Sequence, residues 1–138
     1  MPKYSMPVAS LKAAINPLDG RTWNVAPIDA EEVLAAAQQG NVCDKSWQEM
    51  QKAQLPADFH RHFHVTRIAY LLSASSPAKE EHKMMLCVAK DRIWLNDGNH
   101  RVAAAIVRGD PTIELYIADS GELDLPAVFP GLCSLSED

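Results

Sequence analysis

Residues 94–110 read Trp94-Leu95-Asn96-Asp97-Gly98-Asn99-His100-Arg101-Val102-Ala103-Ala104-Ala105-Ile106-Val107-Arg108-Gly109-Asp110, and the change of character at Asp97-Gly98 decides the fold. Up to that point the chain has a strand composition, Arg92–Leu95, preceded by the apolar run Met84–Ala89. Lys90-Asp91 between them predicts a hairpin. Beyond Gly98, His100–Arg108 is rich in alanine, is stopped by Gly109 and is followed by Pro111, the signals of a short helix. Thr112–Ala118 then alternates Ile113, Leu115 and Ile117 against Glu114 and Tyr116, as a half-buried strand does. The helix is apolar nearly all round, so it is expected to be covered on more than one side, and its alanines allow close approach to a sheet.

The junction has the makings of an anion site. The first N–H groups of a helix lack intrahelical partners, and the helix dipole adds partial positive charge there. Gly98 lets the chain turn and lets a ligand approach without a Cβ in the way. Asn99, His100 and Arg101 place neutral and cationic donors at that end. Arg101 suits bidentate contact with a phosphate or carboxylate, and His100 is suited to donating, accepting or shuttling a proton near neutral pH. The plainer alternative is a structural turn, because Asn-Asp-Gly is common in turns and Asn99 is a good N-cap whatever the function.

Asp97-Gly98-Asn99-His100-Arg101, with Val102-Ala103-Ala104-Ala105 and then Arg108-Gly109-Asp110, resembles the signature of the ParB/sulfiredoxin-like superfamily over about residues 84–119. The resemblance implies an α+β fold with a small mixed sheet and packed helices. It also implies that Gly98, Asn99, His100 and Arg101 hold nucleotide phosphates. Chemistries in the superfamily include CTP binding and hydrolysis in partition proteins, ATP-dependent sulfinic acid reduction, and phosphoryl transfer to free serine; some members are nucleases. This chain departs from the pattern at two places. Asn99 stands where sulfiredoxins carry cysteine, which argues against their chemistry, and Val102 stands where partition proteins have a second arginine. No helix-turn-helix pattern follows, so the resemblance is to an isolated ParB-like core.

The totals bound the partners. A chain of 138 residues with 47% hydrophobic and 22% charged residues is read as one globular domain, residues 1–138, with residues 120–138 as a C-terminal extension. No apolar run reaches membrane-spanning length and the N-terminus lacks a signal-peptide pattern. Cys43, Cys87 and Cys133 are odd in number and lack a Cys-x-x-Cys pair, which points to a reducing, cytoplasmic setting; Cys87 reads as a small buried hydrophobe. The net charge of −5 argues mildly against nucleic acid as the main partner. Its distribution is uneven: residues 1–108 carry all 13 cationic side chains against 11 carboxylates, and residues 109–138 carry the other seven carboxylates.

Elsewhere, Asn16–Gly20 is a turn, Ser10–Ile15 is a strand or short helix, and Arg21 either turns back toward the phosphate turn or lies on the surface. Asp29–Gln39 is a helix with a capping box at Asp29 and Glu32, an apolar face of Val33, Leu34 and Ala37, and Gly40 at its end. Ser46–Gln54 is a second helix, with Trp47 and Met50 turned inward. Val65–Leu72, rich in β-branched and aromatic residues, is expected to be a strand, and Ser73–Lys83 a surface loop. Ahead of that strand, His60, His62 and His64 alternate, so on a strand they would share a face and could ligate a transition metal, or one could face the ligand of the Asp97–Arg101 turn. The tail from Ser120 is too apolar to be free and should lie across the body or pair with another chain.

Three readings follow. The first is a nucleotide- or phosphate-binding protein, taking CTP or ATP with Mg²⁺. If it turns over, Asp97 would hold the metal or act as base, with His100 assisting. The second is a non-catalytic, DNA-associated accessory module of phage or plasmid type. The third is a metal-binding protein built on the histidine cluster.

Overall fold

The computed structural model describes residues 2–73 and 84–135, and the chain folds there as a mixed α+β protein of five strands and six α-helices. In chain order these are β1 (Lys3–Pro7), α1 (Val8–Ala14), α2 (Ala30–Gln38), α3 (Trp47–Lys52), α4 (His60–Ser73), β2 (Met85–Ala89), β3 (Arg92–Asp97), α5 (Asn99–Arg108), β4 (Thr112–Asp119), α6 (Leu125–Val128) and β5 (Cys133–Leu135). One sheet runs in the order β3-β2-β4-β1-β5. Its β2–β4 pair is parallel and the others antiparallel, so the path from β2 to its parallel neighbour β4 runs through β3 and then α5.

Alternation builds the sheet's inner face. Leu86 and Val88 of β2, Leu95 of β3, Leu115 and Ile117 of β4 and Met6 of β1 are all buried, and they pack with Leu11, Val102 and Phe129 in one cluster. A second cluster lies on the far side of α5, where Ala103 and Ala104 meet Val65, Ile68 and Ala69 of α4, Val33 and Ala36 of α2, and Leu18 and Ile28. The helix α5 is therefore enclosed between the sheet and the α2–α4 pair, as its all-round apolar character requires. Alanine matters here because only a short side chain lets two helices and a sheet close on one another without voids.

The hairpin, the turn at Asn16–Gly20, α2, α3, α5 and β4 stand where the residues predict them. The capping boxes at Asp29/Glu32 and Ser46/Glu49 are formed. On α2, however, Val33 and Ala36 are buried while Leu34 is 45% exposed, so the buried stripe sits one position round from the predicted one. Trp47 and Met50 are half-buried. Cys87 is half-buried rather than buried, because it points to the sheet face opposite Leu86 and Val88. Ser10–Ile15 resolves as the greater part of α1 and its C-cap.

The main correction is α4. Val65–Leu72 is not a strand but the interior of a 14-residue helix that begins at His60. Phe63, Val65, Ile68 and Ala69 are buried on it, and packing against α5 and α2 outweighs the β propensity of Val65, Thr66 and Ile68. Thr66 adapts by donating its hydroxyl to the Phe63 carbonyl one turn back (2.9 Å). The predicted loop Ser73–Lys83 begins inside α4, and residues 74–83, which include His82, lie outside the described residues.

The tail packs on its own chain. Phe129 is fully buried, and β5 pairs with β1 through Cys133 opposite Ser5 and Leu135 opposite Lys3. No described helix is long and apolar enough to cross a membrane.

Candidate functional site

Asp97-Gly98-Asn99 makes the turn from β3 into α5, and Gly98 is required there twice over. Its φ is +98°, a left-handed conformation that side chains rarely adopt, and a Cβ added to it would lie 2.4 Å from Met84 Cγ. The turn is tied internally: the Gly98 N–H donates to Asp97 Oδ1 (2.8 Å), and the Gly98 carbonyl accepts from the Val102 N–H (2.9 Å). The N-cap is Gly98, not Asn99 as the residue preferences suggest. Asn99 is the first helical residue, and its amide nitrogen reaches back to the Leu95 carbonyl (3.4 Å) while its Oδ1 is buried without a partner.

This turn forms one wall of a cleft of about 290 Å³. Asn96 through Arg101 line it from β3 and α5, Arg67 and Leu71 line it from α4, and Trp23, Ser46, Trp47 and Gln48 close it from the first half of the chain. Arg67 donates to the Cys43 carbonyl (3.3 Å) and lies over the Tyr70 ring at 5.3 Å, so its guanidinium is held rather than free to sweep. Two arginines and a helix N-terminus thus converge on the cleft, with one carboxylate, Asp97, at its rim. Asp97 is exposed and the amide of Gly98 is already engaged by it. An entering anion would therefore meet the amides and side chains of Asn99, His100 and Arg101 before that of Gly98.

Behind the cleft lies a pair of histidines. His64 Nδ1 is 2.8 Å from His100 Nε2, joining α4 to the first turn of α5. Trp23 stacks on both rings, with centroids 4.3 Å from His64 and 4.5 Å from His100 and planes 15° apart in each case. Trp47 and Phe63 pack around His64 as well. Trp23 is delivered by the tight turn after Gly20, whose φ is +84° and whose missing Cβ would collide with the Val25 carbonyl at 2.1 Å. His64 is fully buried. Burial in this aromatic cage, assisted by the nearby His60, pushes its pKa down to about 4. Burial first, then His64 and the Arg67 charge, push His100 down to about 3. Both rings are therefore neutral at pH 7, and His100 is not the near-neutral proton shuttle that its unperturbed chemistry suggests.

Of the alternating histidines, helical geometry separates what a strand would have aligned. His60 and His64 share a face of α4, and His62 is exposed on another. The His60 Nε2 donates to the Leu55 carbonyl (2.8 Å), and Trp47 packs edge-on against its ring. No group of three or more histidine, cysteine or carboxylate side chains placed to hold a metal occurs among the described residues. Arg21 is exposed and does not line the cleft.

The five turn residues expected from sequence therefore do gather at one cleft. Trp23, Trp47, Arg67 and the partnership of His64 with His100 were not foreseen. A helical reading of residues 60–73 would have found part of it, because His60, His64, Arg67 and Leu71 recur at spacings of three and four. Comparison with protein-family models, with curated proteins and with solved structures finds no match for this chain.

Proposed function

We propose that the protein binds a nucleotide, or another phosphate-bearing ligand, in the cleft at the amino end of α5, and that its fold is of the ParB/sulfiredoxin-like type. The observation that carries this reading is the convergence of Arg101 from α5 and Arg67 from α4 on one cleft at a helix N-terminus, which Trp23 and Trp47 also line. Donors and positive potential suit phosphate oxygens, and an aromatic wall suits a planar base. Asn99 supports the same reading, since its buried Oδ1 lacks the donor that a ligand N–H or hydroxyl would supply.

A Mg²⁺ ion would fit as it usually does beside nucleotides, held by one carboxylate, water and the phosphates themselves rather than by a protein cage. Asp97 is the carboxylate in place for it, with Oδ1 of its exposed side chain engaged by the Gly98 N–H. Bound there, the ion would neutralise charge on the phosphates during phosphoryl transfer or hydrolysis. Asn99, His100 and Arg101 would orient the ligand by donation, and neutral His100 would do so without adding charge.

Thermal unfolding of wild type and Arg101→Ala against CTP, ATP, GTP and ADP, each with and without Mg²⁺, tests the proposal. A nucleotide at a hundredfold its Kd stabilises wild type by about 2.7 kcal/mol and leaves the variant unmoved. Absence of a shift with every nucleotide in both proteins defeats the reading.

A further inference from the structure

The histidine pair behind the cleft has a proton to place, and the buried surroundings decide where it goes. Between two neutral rings joined through His64 Nδ1 and His100 Nε2, one nitrogen donates and the other accepts. If His100 Nε2 donated, the proton of His64 would sit on its Nε2, which is buried without any partner. An orphaned buried N–H is the costlier arrangement, whereas a lone pair left unsatisfied is tolerated better. The proton of His64 therefore belongs on Nδ1, pointing at His100. That leaves His100 Nε2 as the acceptor and its own proton on Nδ1. His100 lines the cleft, and its Nδ1 is not among the buried atoms lacking a partner. Trp23, stacked on both rings, prevents either from turning over. The charged or titratable neighbours are His60 and Arg67 on α4, Asp97 at the end of β3 and Arg101 on α5, and none of them lies within hydrogen-bond distance of His64 Nε2 to reverse the assignment.

Resting on the proposed phosphate site, we infer that His64 is a positioning residue that holds His100 in the Nδ1–H form and so gives the cleft a fixed, uncharged hydrogen-bond donor for a ligand oxyanion. Arg101 and Arg67 supply charge, and His100 supplies direction. A neutral donor is useful beside the amides of a helix N-terminus because it keeps its proton, and hence its orientation, through the whole neutral range.

Long-range ¹H–¹⁵N spectra, which report which imidazole nitrogen carries the proton, test this without any ligand. At pH 7 the wild-type protein should show both histidines protonated on Nδ1 and bare on Nε2. His64→Asn keeps an amide N–H near the position of the lost Nδ1 and should preserve the His100 tautomer. His64→Phe keeps an aromatic ring but no donor and should release His100 to Nε2–H or to a mixture of forms. Titration with inorganic phosphate should then show about a tenfold weaker affinity in His64→Phe and near-wild-type affinity in His64→Asn, the worth of one hydrogen bond to a charged group. Wild-type His100 protonated on Nε2, or two variants indistinguishable in tautomer and affinity, overturns the inference. The assigned tautomers without phosphate binding by wild type overturn the phosphate reading, and with it the donor role, while the tautomer control by His64 stands measured. The wild-type spectrum decides the assignment even if one variant fails to fold.

Discussion

Mild acid should destabilise this protein through His64 before its carboxylates begin to titrate. His64 is fully buried against Trp23, Trp47 and Phe63, with no carboxylate among its ring contacts. Its pKa in the folded chain is about 4 against an ordinary 6.5. Below pH 6.5 the unfolded chain binds a proton that the folded one refuses, so the stability is complete above that pH and drains away as pH falls toward 4. Linkage gives about 1.4 kcal/mol lost between pH 8 and pH 5.5 from this ring alone. For a domain of this size that is a fall in Tm of about 5 °C. His100, held down in the same way, adds to the slope without doubling it, since the two rings share one hydrogen bond and each discourages protonation of the other. The assay is urea unfolding followed by tryptophan fluorescence at half-unit intervals from pH 8 to 5.5, for wild type and His64→Phe. The variant should lose about half of the acid slope. An identical slope in the two proteins, or a His64 resonance that titrates near pH 6.5 in the folded state, refutes the reasoning.

Other outcomes follow from the packing. Gly98→Ala places a Cβ against Met84 at an unfavourable φ and should cost about 2–3 kcal/mol in chemical denaturation; a neutral result would mean that the turn rebuilds itself. Ala103→Leu pushes extra methyl groups into the fully buried face between α5, α4 and α2 and should cost about 1–3 kcal/mol or more, read in the same way. Phe129→Ala should cost about 3–5 kcal/mol, since that side chain is wholly enclosed by the main core; a loss under 1 kcal/mol would show the tail to be an appendage.

Much of this molecule is legible locally. Asp97-Gly98 announces the strand–helix junction because only glycine tolerates the turn it makes, and Gly109 with Pro111 announces the helix end. Glu32 and Glu49 mark helix starts because capping is a matter of three residues and needs no distant partner. The anion-binding character proposed for the turn likewise depends on side chains within five positions of each other. Residues 60–73 were not legible in this way. Val65, Thr66 and Ile68 favour a strand by themselves, and only the alanine face of α5, some 35 residues away, makes a helix the better way to bury Phe63, Ile68 and Ala69. That one change of period rotates Arg67 into the cleft and His64 against His100.

The sequence by itself therefore determined the β2–β3 hairpin, the helix α5 and the strand β4 after it, the capped helices and the polar turn at residues 97–101, all of them written in short-range preferences. Tertiary structure decided the rest: the helical state of α4, the parallel pairing of β2 with β4, the place of β1 between β4 and β5, the return of the tail onto β1, and the burial that keeps two adjacent histidines neutral. Each of these depends on which distant surface a segment meets, and the free energy of that contact exceeds the few tenths of a kcal/mol per residue by which local propensity speaks.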